Sequence, residues 1–247
     1  MHEPGGAPLV SPGALTLGCA DMDARPLFWT EPDRSRNGYE PRAAQITADE
    51  LGLSICWVYE RWDRFADTLA TGRVDAIWCG SAITCERRTR FTYSQPYAAV
   101  DEAVVCRADA AIRRVGDLAG RRIGAIRDST NMALAETLAA GSLVAFDGSS
   151  DDVFAEMLDA VERGEIDAMI DDEPAFGGVT ESGRFRIVHV ARTQRPWGAA
   201  CRLGDYATAA LLNEGLAAAV ANGRLAEEWH HWFPAKAVPS VLAGSDR

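Results

Sequence analysis

The stretches GRVDAIW, residues 72–78, and GEIDAMI, residues 164–170, decide the fold of this 247-residue chain. Both have the pattern Gly, any residue, Val or Ile, Asp, Ala and two apolar residues, and each follows an amphipathic segment with helical spacing. A glycine that ends such a segment and precedes a short apolar run predicts a helix leading into a buried strand. The repeated pattern therefore predicts two α/β lobes with equivalent strands.

Strands and helices alternate on both sides of these stretches. The predicted strands are residues 15–19, 54–59, 74–79, 122–126 and 143–146, and the predicted helices are residues 41–51, 64–70 and 130–140. Ser149 or Ser150 is predicted to cap a further helix, whose apolar i, i+3, i+4, i+7 pattern begins at Phe154. Such alternation predicts parallel sheets covered by helices.

Composition and charge exclude several classes of protein. Apolar residues make up 47% of the chain and charged residues 25%, which is typical of a globular protein. The net charge of −11 argues against nucleic-acid binding, and no apolar run approaches the roughly 20 residues of a membrane-spanning helix. Residues 1–14 lack the basic and apolar regions of a signal peptide and are predicted to be a disordered leader. The chain is therefore expected to be cytosolic or to lack its targeting segment.

Residue usage also argues against cofactor and metal chemistry. The only lysine is Lys236, in the tail, so Schiff-base, pyridoxal and P-loop enzymes are not expected. The six cysteines form no CxxC pair and the four histidines no HxxxH pair, so no metal site is expected. Cys106 and Cys201 lie in similar predicted strands, and the sequence leaves open whether they pair. The stretch WHHWF, residues 229–233, is interpreted as packing of the last helix on the first lobe, because adjacent helical histidines point about 100° apart.

Polar residues come after the first of the two repeated strands. The stretch WCGSAITCERR, residues 78–88, offers Gly80 for close backbone approach, the hydroxyls of Ser81 and Thr84, and Arg87 and Arg88. An arginine fork fits a carboxylate with two hydrogen bonds. The spacing alone favours a simpler interpretation, in which both arginines are solvated on a short helix.

Two polar segments belong to the second lobe: RDSTN, residues 127–131, and IDDEP, residues 170–174. Ser129 and Thr130 at a predicted helix N-terminus present hydroxyls and backbone N–H groups to an anion. Asp171, Asp172 and Glu173 are suited to a cation, although three such acids are more often a solvated loop before a helix. Because ligands bind outside the carboxyl ends of parallel strands, the polar segments of both lobes are predicted to form opposite walls of one cleft that suits a zwitterion.

A resemblance to a known family extends along residues 15–233. The segments that carry it, in family order, are LTLGCAD, GYEPRAAQITADELGL, WDRFADTLATGRVDAIWCGSAITCERRTRFTYSQPY, VGDLAGRRIGAIRDSTN, IDAMIDDEPA, WGAACRLGD and LNEGLAAAVANGRLAEEWHHWF. The chain resembles the family 3 extracellular solute-binding proteins, the amino-acid receptors of ABC importers with the type II periplasmic-binding-protein fold.

This resemblance implies a two-lobed α/β fold, in which each lobe is a mostly parallel sheet flanked by helices. A two-segment hinge is expected near residues 97–99 and 191–198. The implied first lobe is discontinuous and comprises residues 15–98 and 193–247, and the second comprises residues 99–192.

The resemblance also implies the ligand contacts. Arg87 and Thr130, with Ser129 beside it, are expected to bind the α-carboxylate of an amino acid, and Asp172 its α-ammonium group. The remaining predicted contacts are Gly80, Ser81, Ala82, Trp62, Asp21 and Asp128. Family members commonly have Ser or Thr in place of Ala82 and Gly in place of Asp128, so one hydroxyl contact is expected to be missing. Negative charge at Asp21, Asp23 and Asp128 favours a ligand with a polar or basic side chain.

The chain is therefore predicted to be a receptor and not an enzyme. It is expected to capture an L-amino acid or a related zwitterion between two closing lobes and to deliver it to the membrane permease of an ABC importer. We expect a monomer in the periplasm or at the cell surface, with no cofactor, metal or nucleic acid. Two alternatives remain open: a cyclohexadienyl or arogenate dehydratase on the same fold, with Asp128, Asp172 or Glu173 as general acid, and the excised ligand-binding domain of a sensor.

Overall fold

The computed structural model describes residues 9–138 and 141–244. Residues 1–8 of the predicted leader, and the last two residues of the helix predicted over 130–140, lie outside this range. Within the leader, the backbone N–H of Val10 donates to Asp75 Oδ1 at 2.8 Å.

The described part of the chain alternates between strands and helices. The strands are β1 (Ala14–Cys19), β2 (Trp29–Thr30), β3 (Arg36–Asn37), β4 (Ser54–Tyr59), β5 (Ala76–Ile77), β6 (Phe91–Tyr93), β7 (Ala98–Arg107), β8 (Arg122–Ile126), β9 (Ser142–Phe146), β10 (Ala168–Asp172), β11 (Phe185–Trp197) and β12 (Ala200–Arg202). The α-helices are α1 (Tyr39–Glu50), α2 (Phe65–Ala70), α3 (Thr130–Thr137), α4 (Val153–Glu162), α5 (Gly177–Glu181), α6 (Tyr206–Ala221) and α7 (Arg224–Trp232). Short 3₁₀ turns cover Trp62–Arg64, Arg87–Thr89, Val115–Leu118, Glu173–Phe176 and Ser240–Leu242.

The chain divides into two compact units. The first contains the described residues up to Ala20, then Tyr39–Ala99, and then the chain from Pro196 onward. The second contains Asp21–Gly38 and Val100–Arg195. The predicted α/β class, with two lobes, is confirmed.

Both repeated stretches begin with the same helix ending. Gly72 after α2 has φ 69° and Gly164 after α4 has φ 71°, the left-handed conformation that glycine adopts without steric cost. The residue after each glycine donates its N–H five residues back, from Arg73 to Thr68 O at 3.2 Å and from Glu165 to Ala160 O at 2.9 Å. This bond is the mark of a Schellman motif, so the helix stops at an equivalent place in both units.

The aspartate of each stretch then attaches its strand to a parallel neighbour. Asp75 donates its N–H to Thr16 O at 2.8 Å, and its carboxylate accepts the N–H of Thr16 at 2.7 Å. Asp167 makes the same pair of bonds with Arg122, both at 2.8 Å. The aspartate of the shared pattern therefore exchanges two hydrogen bonds with a residue near the start of β1 in one unit and of β8 in the other.

A mixed five-stranded sheet forms the first unit. Its order is β4-β1-β5-β12-β6, with β4, β1 and β5 parallel and β12 antiparallel to both of its neighbours. Helix α1 packs against α6 and α7. Gly215 allows α6 to approach closely, because a Cβ there would lie 2.6 Å from Thr47 O.

The sheet of the second unit is also mixed and has the order β11-β7-β10-β8-β9. Strands β10, β8 and β9 are parallel, and β7 is antiparallel to β10. A buried apolar cluster packs on this sheet and comprises Val104, Cys106, Ile112, Leu118, Ile123, Ala135, Ala168 and Ile170. The sheets are thus less uniformly parallel than the sequence predicted, because antiparallel strands complete each of them.

Several local predictions differ from the structure. The strand predicted over 74–79 is regular only at Ala76–Ile77. The cap of α4 is neither Ser149 nor Ser150 but Asp152, whose carboxylate accepts the N–H of Ala155 at 2.9 Å. Cys106 and Cys201 are free buried thiols in different units, so they do not pair.

The WHHWF stretch packs as the sequence predicted. Trp229 and Phe233 are buried, and their rings lie 5.0 Å and 5.6 Å from that of Tyr39 on α1. The indole N–H of Trp229 donates to Ala237 O at 3.1 Å. These contacts attach α7 to the first unit.

Candidate functional site

The predicted ligand contacts divide between the two units. Trp62, Gly80, Ser81, Ala82 and Arg87 lie in the first unit. The remaining five lie in the second: Asp21, Asp128, Ser129, Thr130 and Asp172.

Arg87 begins a 3₁₀ turn in the first unit, and the local structure orients it. Its N–H donates to the hydroxyl of Thr84 at 3.0 Å, and its Nη1 donates to Ala82 O at 3.4 Å. Arg87 is half-buried, whereas its neighbour Arg88 is exposed. Arg87, the arginine that the resemblance assigns to the ligand carboxylate, is therefore the less exposed of the two, and its guanidinium donates to a backbone carbonyl.

Gly80 lies between β5 and this turn. It has φ 55°, and its N–H donates to Glu40 Oε1 at 2.6 Å. Glu40 is completely buried, and the same oxygen accepts the hydroxyl of Tyr97 at 2.6 Å. The N–H of Gly80 is thus used to fix the loop on α1, and the positive φ explains the glycine.

Ser81 and Ala82 are tied to the segment at the end of β11. The N–H of Gly198 donates to Ser81 O at 3.1 Å, and Ala82 forms an antiparallel bridge with Trp197. The Ser81 hydroxyl lies 2.9 Å from that of Tyr93. Trp62 is half-buried elsewhere in this unit, with its ring 5.3 Å from Phe65.

In the second unit, Ser129 is the N-cap of α3. Its Oγ accepts the N–H of Met132 at 3.0 Å and donates to Ile126 O at 2.6 Å. The hydroxyl hydrogen of Ser129 is therefore engaged in the cap. Thr130, the half-buried first residue of α3, places its own hydroxyl at the positive end of the helix dipole.

Asp128 precedes this cap and has φ 57°. A left-handed residue is required there, which accounts for the glycine common in the family, and aspartate tolerates this conformation better than most side chains. Asp21 forms an ion pair with Arg34 at 2.6 Å in the same unit, and Asp23 pairs with Arg25 at 2.5 Å. The charge of both loop acids is thus offset by arginines of their own segment.

Asp172 ends β10 and is half-buried. Its N–H donates to Asp171 Oδ1 at 2.7 Å. Asp171 was interpreted from the sequence as a loop acid, but it is a buried residue of the strand with 8% relative accessibility. Burial and the charge of Glu102 raise the pKa of Asp171 to about 7, against a backbone hydrogen bond that lowers it.

Sequence reasoning missed three buried polar residues beneath these loops: Glu40, Glu102 and Asn131. Asn131 follows Thr130 and donates its side-chain amide to Asp171 Oδ1 at 3.4 Å. Glu102 accepts from Arg195 Nε at 3.2 Å. Their positions in ordinary helix and strand patterns give no signal of burial.

The described residues contain no group of three or more His, Cys, Asp or Glu side chains suited to a metal ion. Among the same residues, no helix has the length and apolar character to cross a membrane.

Comparison with known proteins identifies the family. A sequence model of the bacterial extracellular solute-binding proteins, family 3, matches residues 17–235. The chain belongs to this family.

Individual relatives have about a quarter of their residues in common with this chain over the aligned regions. The ABC transporter glutamine-binding protein GlnH of Bacillus subtilis is 26% identical over 168 residues, which cover 67% of this chain and 60% of that protein. An L-arginine-binding protein of Pseudomonas aeruginosa is 24% identical over 84% of this chain and 83% of its own. The L-cystine-binding protein TcyJ of Escherichia coli is 23% identical over 85% and 79%.

Solved structures share the fold. An ancestral arginine-binding protein bound to glutamine superposes with a TM-score of 0.79 at 24% identity, covering 90% of this chain and 99% of the other. A substrate-binding protein of an ABC uptake transporter from Streptococcus pneumoniae, with bound histidine, gives 0.79 at 22%, covering 92% and 95%. The ancestral amino acid-binding protein AncCDT-1, a precursor of cyclohexadienyl dehydratase, gives 0.76 at 24%, covering 90% and 96%.

Proposed function

We propose that this protein is the receptor of an ABC importer and binds an L-amino acid or a closely related zwitterion. Arg87 of the first unit binds the ligand carboxylate, with the hydroxyl of Thr130, and Asp172 of the second unit binds the ammonium group. The observation that carries this proposal is the opposite charge at the ends of the two equivalent strands. An oriented guanidinium comes after β5, and a carboxylate ends β10. Charge-assisted hydrogen bonds of this kind contribute roughly 1.5–3 kcal/mol each.

The ligand side chain is proposed to be polar. The named relatives bind glutamine, arginine and cystine, which allows neutral and basic side chains alike. In the sequence, Asp21, Asp23 and Asp128 favour a polar or basic side chain, but Asp21 and Asp23 are each paired with an arginine at 2.6 Å or less. This pairing supports a neutral polar ligand, such as glutamine, over a basic one.

Transport depends on binding by both units. A ligand that contacts Arg87 and Asp172 together stabilises the conformation in which both contacts are made, and it shifts the equilibrium by that difference alone. We propose that a membrane permease recognises this conformation, and that the protein works as a monomer in the periplasm or at the cell surface. No cofactor is needed for such a cycle.

An enzymatic function is the second candidate, because AncCDT-1 is described as a precursor of a dehydratase. Asp128, Asp172 or Glu173 would then act as the general acid. We propose binding rather than catalysis, since Arg87 and Asp172 already account for the two charges of an amino acid. Incubation with prephenate or arogenate separates the two functions, because only the enzyme forms product.

A thermal-shift screen with free amino acids tests the proposal. A ligand at about 100 times its Kd stabilises the folded protein by roughly 2.7 kcal/mol, which raises the unfolding midpoint. We expect a shift with glutamine or a similar amino acid, and a smaller one with arginine. If no amino acid or related zwitterion raises the midpoint, the proposed function is wrong.

A further inference from the structure

Asp171 lies directly beside the proposed ammonium-binding residue, yet it points into the fold. In the antiparallel register of β10 and β7, Asp171 is opposite Ala103, and Asp172 is opposite Glu102. The Oδ1 of Asp171 accepts the N–H of Asp172 at 2.7 Å and the amide of Asn131 at 3.4 Å. Asp171 therefore connects the end of β10, where Asp172 lies, to the first turn of α3, which begins at Thr130.

Among the described residues, Glu102 of β7 is the titratable side chain whose charge raises the pKa of Asp171. Glu102 is completely buried, and Arg195 of β11 donates to its Oε2 at 3.2 Å. The other charged groups on β10 and on the elements packed against it are exposed or paired, apart from the half-buried Asp172 and Glu173, and Asp101 of β7 pairs with Arg192. Glu136 of α3 is exposed, and so are the acids of α4, which are Glu156, Asp159 and Glu162. Glu173 is half-buried in the turn that follows β10, and Arg122 of β8 pairs with Asp167.

A buried acceptor beside Asp171 lacks a hydrogen-bond donor. Within the described residues, Asn131 Oδ1 is a buried oxygen that receives no hydrogen bond, and it belongs to the amide that donates to Asp171. A buried acceptor without a donor costs about 1–3 kcal/mol. A proton on the Asp171 carboxyl adds a donor beside the Asn131 amide and removes the repulsion between the buried carboxylates of Asp171 and Glu102.

We propose that Asp171 holds a proton in the ligand-free protein and releases it to solvent when an amino acid binds, so that ligand capture is coupled to proton release. This inference rests on the proposed function, because the ammonium group at Asp172 supplies the positive charge that displaces the proton. Asp171 acts as a positioning residue in this scheme and does not touch the ligand.

The linkage between proton binding and ligand binding sets the expected number of released protons and the expected change of affinity with pH. Because burial raises its pKa to about 7, Asp171 is partly protonated in the ligand-free protein at pH 7 and largely protonated at pH 6. If the ammonium lowers that pKa by about one unit, binding releases about 0.4 protons at pH 7, and affinity at high pH exceeds that at low pH by about tenfold.

Calorimetry in two buffers measures the released protons. Glutamine, whose side chain does not titrate, is injected at pH 7 in phosphate and in Tris, and the difference in apparent enthalpy gives the number of protons. We expect release from the wild type and almost none from Asp171→Asn, whose affinity should stay at the low-pH value of the wild type from pH 5.5 to 8. Asp159→Asn removes an exposed acid of the same unit and should behave as the wild type. Equal release from the wild type and Asp171→Asn would overturn the proposal.

A ligand-free measurement separates this inference from the proposed function. Carboxyl ¹³C NMR should show an aspartate that titrates near pH 7 in the wild type and is missing in Asp171→Asn. If all aspartates titrate below about pH 5, the inference is wrong even when amino acids bind. If the resonance titrates near pH 7 but glutamine and the other amino acids do not bind, the proposed function fails, and with it the coupling.

Discussion

The two repeated stretches share their beginnings and differ at their ends. In each, a left-handed glycine ends a helix and an aspartate exchanges two hydrogen bonds with a neighbouring parallel strand. After β5 the chain turns at Gly80 toward a cation, Arg87, whereas β10 ends in the acids Asp171 and Asp172. The shared geometry at the start of each strand therefore attaches both strands to their sheets, while the residues proposed to bind the ligand lie at or after the opposite ends.

Asp75 and Asp167, the aspartates of the two repeated stretches, differ in environment. Asp75 is buried, and burial raises its pKa although Thr16 and Val10 donate to it. Asp167 is partly exposed beside Arg122; burial alone would raise its pKa, but the bonds and charge of Arg122 lower it. The same link is therefore more costly to break in the first unit.

Ligand affinity should respond most strongly to substitution at the ends of the two strands. Arg87→Ala and Asp172→Ala should each weaken amino-acid binding by about 100-fold, because each removes a charge-assisted contact and leaves a ligand charge unpaired. Calorimetry measures the affinity, and circular dichroism should show an unchanged unfolding midpoint.

Arg88→Ala is the matched control, because Arg88 adjoins Arg87 but is exposed. Its affinity should equal that of the wild type. A loss at Arg88 as large as that at Arg87 would show that general positive charge, and not the oriented Arg87, attracts the ligand.

A smaller effect is expected on stability, and it should differ between the repeats. Asp75→Ala should reduce the free energy of unfolding by about 2 kcal/mol, because the buried N–H of Thr16 and the part-buried N–H of Val10 lose their acceptor. Asp167→Ala should cost about 1 kcal/mol, because it removes a solvent-screened pair and one backbone acceptor. Urea denaturation measures both, and equal losses would contradict the difference in environment.

Acid should abolish the Asp167 contribution. Its folded pKa lies below the usual value, so the stability it provides is present above the unfolded pKa of about 3.8 and is lost as the pH falls through the folded pKa. The difference between the wild type and Asp167→Ala should therefore shrink between pH 5 and pH 2. A difference that stays constant over this range would show that the ion pair contributes nothing.

The two helix-ending glycines should contribute least. Gly72→Ala and Gly164→Ala should each cost about 1 kcal/mol, since alanine is strained at a positive φ. Gly116→Ala should be neutral, because no atom lies within 4 Å of its Cβ position and its φ is not positive. If only one of the first two variants is destabilised in thermal unfolding, the repeats do not share the same helix ending.

The sequence predicts the fold well where local patterns decide it. Strands β4 and β8 have the predicted bounds, because apolar runs between turn residues specify them. The antiparallel strands β6 and β12 are three residues each, too short for a periodic pattern. Asp152 caps α4 because the helix starts later than the serines suggested, which only the backbone reveals.

The sequence predicts the charged residues of the candidate site but not the buried polar residues beneath them. Arg87 and Asp172 lie after or at strand ends and match family positions, so the sequence identifies them as predicted contacts. The contacts of Asp171, Glu102 and Glu40 join residues 40 to 93 positions apart: Asp171 with Asn131, Glu40 with Gly80, and Glu102 with Arg195. No local pattern reports such contacts, so the acids beneath the loops became visible only in three dimensions.

The proposed function depends above all on Arg87 as the group that binds the ligand carboxylate. A double cycle tests this role: the best-binding amino acid and its carboxamide are titrated calorimetrically into the wild type and into Arg87→Ala. In the wild type, loss of the carboxylate should weaken binding by about 100-fold, and in Arg87→Ala the same change should weaken it by less than about threefold. An equal loss in both proteins would show that another group binds the carboxylate, and it would contradict the role proposed for Arg87.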